Sequence, residues 1–292
     1  MHVHYLDVWE DLAKTLAERM NVPFRLIITS SLPSEVIARP VTPYLVEMIM
    51  IPTDNRGRDI RPFLLAYGRV EDYAIGLKLH TKRSTHLDRG ENWRAEMIES
   101  LLPPQGVVAI KQAMEQIPRI GLIAPQGLFL SIREWMLDNR KGIERTARAL
   151  SLKADYRSIA NGYFSAGSMF WFRREALVAF SAPPLLAMFE AEEGQFDGTT
   201  AHAIERLFAF AAEHRGFVAL PMDILLQAQA DMSEADLRQL SRSRRTVVSR
   251  ALYPLAIHRV VRRYAPFLFS VYRQVPKPLR TFLRERFIGS RR

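Results

Sequence analysis

The chain of 292 residues contains no cysteine. Neither a disulfide framework nor a thiolate zinc site is available to it, and a reducing cytoplasm is the natural compartment. No stretch approaches the roughly 18 uninterrupted apolar residues of a membrane-spanning helix. The opening, Met1 to Glu10, is polar and strand-like, so it is not expected to act as a signal peptide. Internal repeats and low-complexity tracts are missing as well. With 48% hydrophobic and 25% charged residues, the composition is that of a globular protein with a large core, sized for one catalytic domain and an appendage.

Charge is distributed unevenly. Residues 242–292 hold 14 Lys or Arg against one acidic residue, Glu285, a local net of +13. The whole-chain value of +10 therefore leaves −3 for the first 241 residues. A slightly acidic body with a very basic tail implies two units: a domain over residues 1–241 and an amphipathic tail over 242–292.

The body alternates strand-like and helix-like segments. His2 to Leu6 is a short strand candidate, and Trp9, Leu12, Leu16 and Met20 fall at helical spacing. Phe24 to Thr29 and Val46 to Ile51 are apolar strands, with a further segment from Ser34 between them. Asn55 to Asp59 forms a turn that Asp59 could close as a helix start, Ile60 to Tyr67 is helical, and Tyr73 to Leu79 is the next strand. This order predicts a parallel sheet with covering helices, whose ligand crevice lies at the carboxyl ends of the strands. Polar clusters follow three of these strands directly: Thr29 to Ser31, Asn55 to Asp59, and His80 to Ser84. Further on, Ile120 to Pro125 is a strand, Leu128 to Lys153 reads mostly as helix, and Tyr163 to Phe172 is a Gly/Ser/aromatic stretch with helix from Arg174. Thr200 to His214 is a strong helix, and Ser233 caps another that leads to the tail.

Four segments, in order, carry a resemblance to a known family. They are Asn55-Arg56-Gly57-Arg58-Asp59-Ile60 with Pro62-Phe63; Lys78-Leu79-His80-Thr81-Lys82-Arg83-Ser84 with Trp93; Gly167-Ser168-Met169-Phe170-Trp171 with Arg173; and Gly194 to Thr199 running into Ala201 to Leu207. Over roughly residues 1–220 the chain resembles the rhamnan synthesis protein F family. The resemblance implies a glycosyltransferase of GT-A-like (Rossmann-like) α/β architecture that serves cell-wall polymers or lipopolysaccharide O-antigen chains. Its donor would be a nucleotide sugar, with dTDP-rhamnose the natural candidate, and its acceptor a lipid-linked glycan at the inner face of the cytoplasmic membrane.

That chemistry sets requirements. A departing nucleoside diphosphate needs positive charge. Many GT-A enzymes hold a divalent metal with Asp-x-Asp after a central strand, but no Asp-x-Asp occurs anywhere in this sequence. His80-Thr81-Lys82-Arg83 stands in its expected place, so no metal cofactor is expected. Lys82 could act as a point charge, and Arg83 or Arg58 as a bidentate fork on phosphate. As solvated surface charges, Lys82 and Arg83 would do nothing of the kind. Thr29, Asn55, Gly57, Asp59, His80 and Ser84 complete the candidate donor site, Gly57 by permitting a tight turn.

Transfer to a hydroxyl also needs a general base. Asp197, in a loop before Gly198, and Glu205, within the helix, are the two candidates, and Asp197 is the preferred one. His202, Glu205 and Arg206 share one helix face, where Glu205 and Arg206 either position the acceptor or form a structural ion pair. Gly167, Ser168 and Trp171, with His202, form the candidate acceptor wall. Arginines interleaved with apolar and aromatic residues mark the tail for an anionic membrane surface. Docking to a partner enzyme is its rival there, and nucleic acid is disfavoured by the acidic body. A non-catalytic membrane scaffold of a polysaccharide assembly complex is the alternative to an enzyme.

Overall fold

A computed structural model describes residues 1–83, 90–182, 184–195, 197–243, 247–253, 256–265 and 268. The first half contains β1 (His2–Val3), α1 (Leu6–Arg19), β2 (Phe24–Ser30), β3 (Leu45–Pro52), α2 (Ile60–Arg69) and β4 (Ile75–Lys78). The expected order of elements is seen, although the segment from Ser34 is only a 3-10 turn, Ser34–Val36. In α1 the helical spacing buries Val8, Trp9, Leu12 and Leu16 on one stripe. The apolar runs of β2 and β3 pair in parallel over their whole lengths, from Phe24 opposite Leu45 to Ser30 opposite Pro52.

Although only two residues long, β1 joins two halves of the protein. His2 and Val3 pair in parallel with Thr29 and Ser30 of β2. On its other edge, His2 N–H donates to the Leu79 carbonyl at 3.1 Å, and Thr81 N–H donates to the His2 carbonyl at 3.0 Å. The order β3-β2-β1 thus passes through one bridge to β4. The direction of travel reverses at β1, so right-handed crossovers put α1 and α2 on opposite faces. Such a reversal is where open α/β sheets hold ligands.

The second half contains α3 (Gly90–Leu101), α4 (Val108–Gln116), β5 (Ile120–Ala124), β6 (Phe129–Ser131), α5 (Arg140–Ala149), α6 (Tyr156–Ala160), β7 (Tyr163–Ser165) and β8 (Phe170–Arg173). After a 3-10 stretch, Arg174–Ser181, come α7 (Pro184–Ala187), α8 (Thr200–His214), β9 (Val218–Pro221), α9 (Met222–Leu225), α10 (Glu234–Ser241) and α11 (Ala256–Tyr264). The second sheet has the order β4-β8-β5-β9.

Two expectations need correction. The expected mostly parallel sheet is parallel through β3, β2 and β1, but the second sheet is mixed, because β8 runs antiparallel to both β4 and β5. Leu128 to Lys153 is also not mostly helix: β6 pairs with β7, and only Arg140–Ala149 is a helix of length. A short apolar run such as Leu128-Phe129-Leu130 suits a buried strand as well as a helix, and its partner lies some thirty residues further on. Other readings hold closely. Thr200–His214 is the expected helix, buried on nearly every side, and Ser233 caps α10 in a reciprocal capping box with Asp236. Phe63 of α2 meets Phe170, Phe172 and Phe208 edge to face, tying α2, β8 and α8 together.

The described part of the basic tail begins packed on the body. Ser249 is buried; its hydroxyl donates to Glu96 Oε2 at 2.6 Å, and Ala251 N–H donates to Glu96 Oε1 at 2.9 Å. In α11, Val260 and Tyr264 are exposed. Among the described residues no helix is long and apolar enough to cross a membrane.

Thr81 locks the β1–β4 junction. Its hydroxyl, with no exposure to solvent, accepts the N–H groups of His4 at 2.8 Å and Tyr5 at 3.0 Å. Thr81→Val keeps the shape and orphans both donors, so it should lower stability by about 2–4 kcal/mol. Thr81→Ser keeps the acceptor and should lose far less. Denaturant midpoints of the two variants measure the difference, and equal losses would remove the hydroxyl from this role.

Candidate functional site

At the carboxyl edge of β4, beside the reversal point, a small cavity of about 50 Å³ is lined by Arg58, Asp59, His80, Lys82, Gly167, Ser168, His202 and Glu205, with Ile60, Met97 and Ala201. Three sequence motifs meet there: the turn before α2, the segment after β4, and the Gly167-Ser168 turn between β7 and β8. The fourth contributes its helical part, α8.

The floor is a buried ion pair. Lys78, the last residue of the otherwise apolar strand β4, is 2% exposed, and its Nζ donates to Asp59 Oδ2 at 2.6 Å and to the Ser168 carbonyl and hydroxyl at 2.7 Å each. Asp59 stands at the N-cap position of α2, but its carboxylate leaves the helix end uncapped and takes the lysine instead. Burial raises the Asp59 carboxyl, yet the Lys78 ammonium that bonds it, and after it Lys82, carry it well below the usual range. Burial pulls the Lys78 ammonium down, with Asp59 and then Glu205 opposing. With all three ammonium donors met, the pair stands charged. The turn that offers Ser168 is left-handed at both Gly167 and Ser168. A side chain at Gly167 would meet Met97 Sδ at 2.6 Å.

His80 is fixed as a neutral imidazole. Its Nε2 lies 2.8 Å from the Gly167 carbonyl and so carries the proton, while Nδ1 accepts Lys82 N–H at 3.2 Å. Burial, first, lowers its pKa to about 4. His202 is also neutral, lowered to about 4 by burial and then by Arg58. Arg58 Nη1 donates to His202 Nε2 at 2.9 Å, which leaves Nδ1–H for the Thr199 hydroxyl at 2.8 Å. Arg58 also donates to the Gln195 carbonyl, and its Nε is 3.5 Å from Glu192. Lys82 lines the cavity with no ion pair to a described residue.

The two acidic candidates occupy different places. Glu205 lines the cavity; its Oε1 accepts Gly167 N–H at 2.8 Å and its Oε2 is 3.5 Å from Arg206. Asp197 is anchored beside it: both its oxygens lie 2.7 Å from Asn139 Nδ2, and Arg206 Nη2 is 3.6 Å away. Arg206 is buried, donating to the Trp135 and His202 carbonyls.

The remaining candidates lie outside the cavity. Arg83 pairs with Asp7 and stacks on the Tyr5 ring at 4.8 Å. Thr29 is buried in β2, where its hydroxyl lies 3.2 Å from the His2 ring. Asn55 is exposed. Gly57 is left-handed, with Phe189 2.4 Å from where a side chain would start, so it holds the turn. Trp171 is buried with its indole N–H on the Leu101 carbonyl at 2.9 Å. Ser84 falls outside the described residues, as does Phe196 of the fourth motif. Two residues were given no site role by the sequence: Lys78, although it opens the second motif, and Asn139. Lys78 could have been found as the one charge in an apolar strand run, whereas Asn139 gave no local signal. Among the described residues no three His, Asp or Glu side chains converge to hold a metal ion.

The fold is mixed α/β, with a small polar cavity beside a reversal of strand order. The profile of the family described as Rhamnan synthesis protein F matches residues 1–217, and the chain belongs to that family, which connects it to polysaccharide synthesis. It is similar to the "Uncharacterized protein WxcX" of Xanthomonas campestris pv. campestris strain B100, 40% identical over 221 residues, which make up 74% of this chain and 31% of that one. WxcX of strain ATCC 33913 matches to the same extent. The chain thus spans about a third of the length of these curated relatives.

The buried histidines set a pH dependence. His2 and His80 are each held at about 4 when folded, against about 6.5 when unfolded. Between these values the unfolded chain binds more protons, so stability is full above pH 6.5 and falls as pH drops towards 4. Each histidine should remove about 2 kcal/mol between pH 7 and pH 5. Denaturant unfolding at the two pH values should show a smaller loss for His80→Gln than for the parent chain. An unchanged difference would contradict the assignment.

Proposed function

We propose that this chain is a glycosyltransferase domain of GT-A-like architecture that moves a sugar, with rhamnose the first candidate, from a nucleotide-sugar donor such as dTDP-rhamnose to a lipid-linked glycan acceptor in O-antigen or related surface-polysaccharide assembly. The observation that carries the reading is the meeting of Lys82, Arg58 and Glu205 at one cavity beside the sheet's reversal point. The cavity has room for a few waters only, so the donor lies across its mouth. Lys82 and Arg58 receive the negative charge that develops on the departing diphosphate, in place of a metal. The acceptor oxygen attacks the anomeric carbon as the bond to the diphosphate breaks, and the acceptor proton passes to a carboxylate.

Glu205 is the better base. It borders the cavity, whereas the Asp197 oxygens are engaged by Asn139. Asp197 then positions Arg206 and His202. Glu205→Gln should lower turnover by about 10² to 10⁴ with donor binding retained, and transfer should persist in a chelator. A fully active Glu205→Gln with a dead Asp197→Asn would exchange the roles, and complete loss in chelator restored by manganese would reject metal-free transfer. A protein that binds no nucleoside diphosphate would be a scaffold.

The tail belongs to the same proposal. Its net charge of +13 over residues 242–292, with apolar residues between the arginines, suits the anionic inner face of the cytoplasmic membrane. Because Ser249 and Ala251 hold Glu96, the informative truncation starts at residue 256. Full-length protein should float with anionic vesicles at low salt and less at high salt, since the attraction is screened over about 8–10 Å. The truncated chain should remain in solution, and equal flotation would reject the membrane role.

A further inference from the structure

Arg58, the proposed diphosphate contact, has all three of its guanidinium nitrogens turned to protein groups. Nη1 donates to His202 Nε2 at 2.9 Å, Nη2 donates to the Gln195 carbonyl, and Nε faces Glu192 Oε2 at 3.5 Å. The backbone that aims this fork is left-handed at Gly57 and again at Arg58, with φ of 67° and 55°. A residue other than glycine keeps such a conformation only where its surroundings fix it.

A phosphate that binds the fork through two bonds needs two neighbouring nitrogens, so it takes the place of at least one of these partners. They are not equal. His202 is buried on α8, and its other ring nitrogen is committed to Thr199. Gln195 presents a neutral carbonyl from a turn bonded to itself: its Nε2 donates to the Ala191 carbonyl at 3.1 Å, and its Oε1 accepts Glu193 N–H at 3.0 Å. Arg56 holds the start of the same segment at the Phe189 carbonyl, so the turn does not depend on Arg58 for its shape. Glu192 is the one anion of the three. Its contact is longer than the roughly 2.7–2.9 Å of a strong charge-assisted bond. Its side chain is 22% exposed, and it stands outside the lining of the cavity that Arg58 borders. A diphosphate and Glu192 on one guanidinium would repel each other, so the carboxylate is the partner that leaves.

We propose that Glu192 is an internal competitor of the donor: its carboxylate holds the Arg58 fork until the diphosphate displaces it, and takes the fork back as the nucleoside diphosphate departs. The inference rests on the reading of this cavity as a nucleotide-sugar site and adds the residue that sets how tightly donor and product are held. Glu192 is a positioning residue, acting through Arg58.

Calorimetric titration of dTDP and of UDP into the 292-residue chain tests it. Glu192→Gln keeps the shape and removes the charge, and should tighten binding about three- to tenfold, the worth of a partly buried ion pair and of the repulsion it leaves behind. Glu193→Gln removes a charge from the exposed neighbour and should change binding by less than about twofold. Arg58→Gln should weaken binding about tenfold or more, and Glu192→Gln added to it should then tighten nothing. Anion binding by the basic tail is common to all four chains. In turnover, Glu192→Gln should lower the donor KM and strengthen inhibition by the nucleoside diphosphate by the same factor, without raising kcat. A parent chain that binds neither nucleotide, or an Arg58→Gln that binds as the parent does, would overturn the donor reading itself. Weakened binding in Arg58→Gln without tightening in Glu192→Gln, or equal tightening in Glu193→Gln, would overturn the exchange alone. Should Arg58→Gln not fold, the comparison of Glu192→Gln with Glu193→Gln decides.

Discussion

Lys78 carries its ammonium on the end of an apolar strand, and burying that charge is tolerable only because Asp59 and Ser168 complete its shell of acceptors. Three distant segments are therefore fixed to one point: the start of α2, the end of β4 and the turn before β8. Leaving either charge alone in this setting costs about 3–5 kcal/mol, a large fraction of the stability of a domain. The left-handed turn at Gly167 and Ser168 exists to bring its carbonyls to Lys78 and His80. From the same turn Gly167 N–H reaches Glu205, so the cavity inherits its shape from the ion pair beneath it.

The second constraint is the brevity of β1. Two residues bridge two sheets, and the reversal of strand order at that bridge is what brings His80, Thr81 and Lys82 to the crevice edge. On the amino side of β1, β2 and β4 border a cavity lined mainly by apolar residues, and the polar cavity lies on the carboxyl side.

The polar cavity and the start of the basic tail are linked through one helix. Glu96 of α3 holds the start of the tail, while Trp93 and Met97 of the same helix border the Gly167 turn. One helix therefore touches both the start of the basic tail and the wall of the polar cavity.

Periodicity and end signals in the sequence determined the order of the first four strands and their helices, the extent of Thr200–His214, the Ser233 cap and the family motifs, since each depends on neighbours within about four residues. The clustering of Arg58, Asp59, His80, Lys82, Gly167, Ser168, His202 and Glu205 was legible through the motifs. Tertiary structure alone decided the rest. That β8 runs antiparallel, that Leu128–Leu130 enters a strand, that Trp171 turns to Leu101 and that Arg83 turns to Asp7 all depend on partners far along the chain. Lys78 and Ser168 are 90 residues apart, and so is the reason for the lysine's burial. A linear pattern states which residues seek burial or charge, but pairing and proton affinity are through-space quantities, and only the folded chain assigns them.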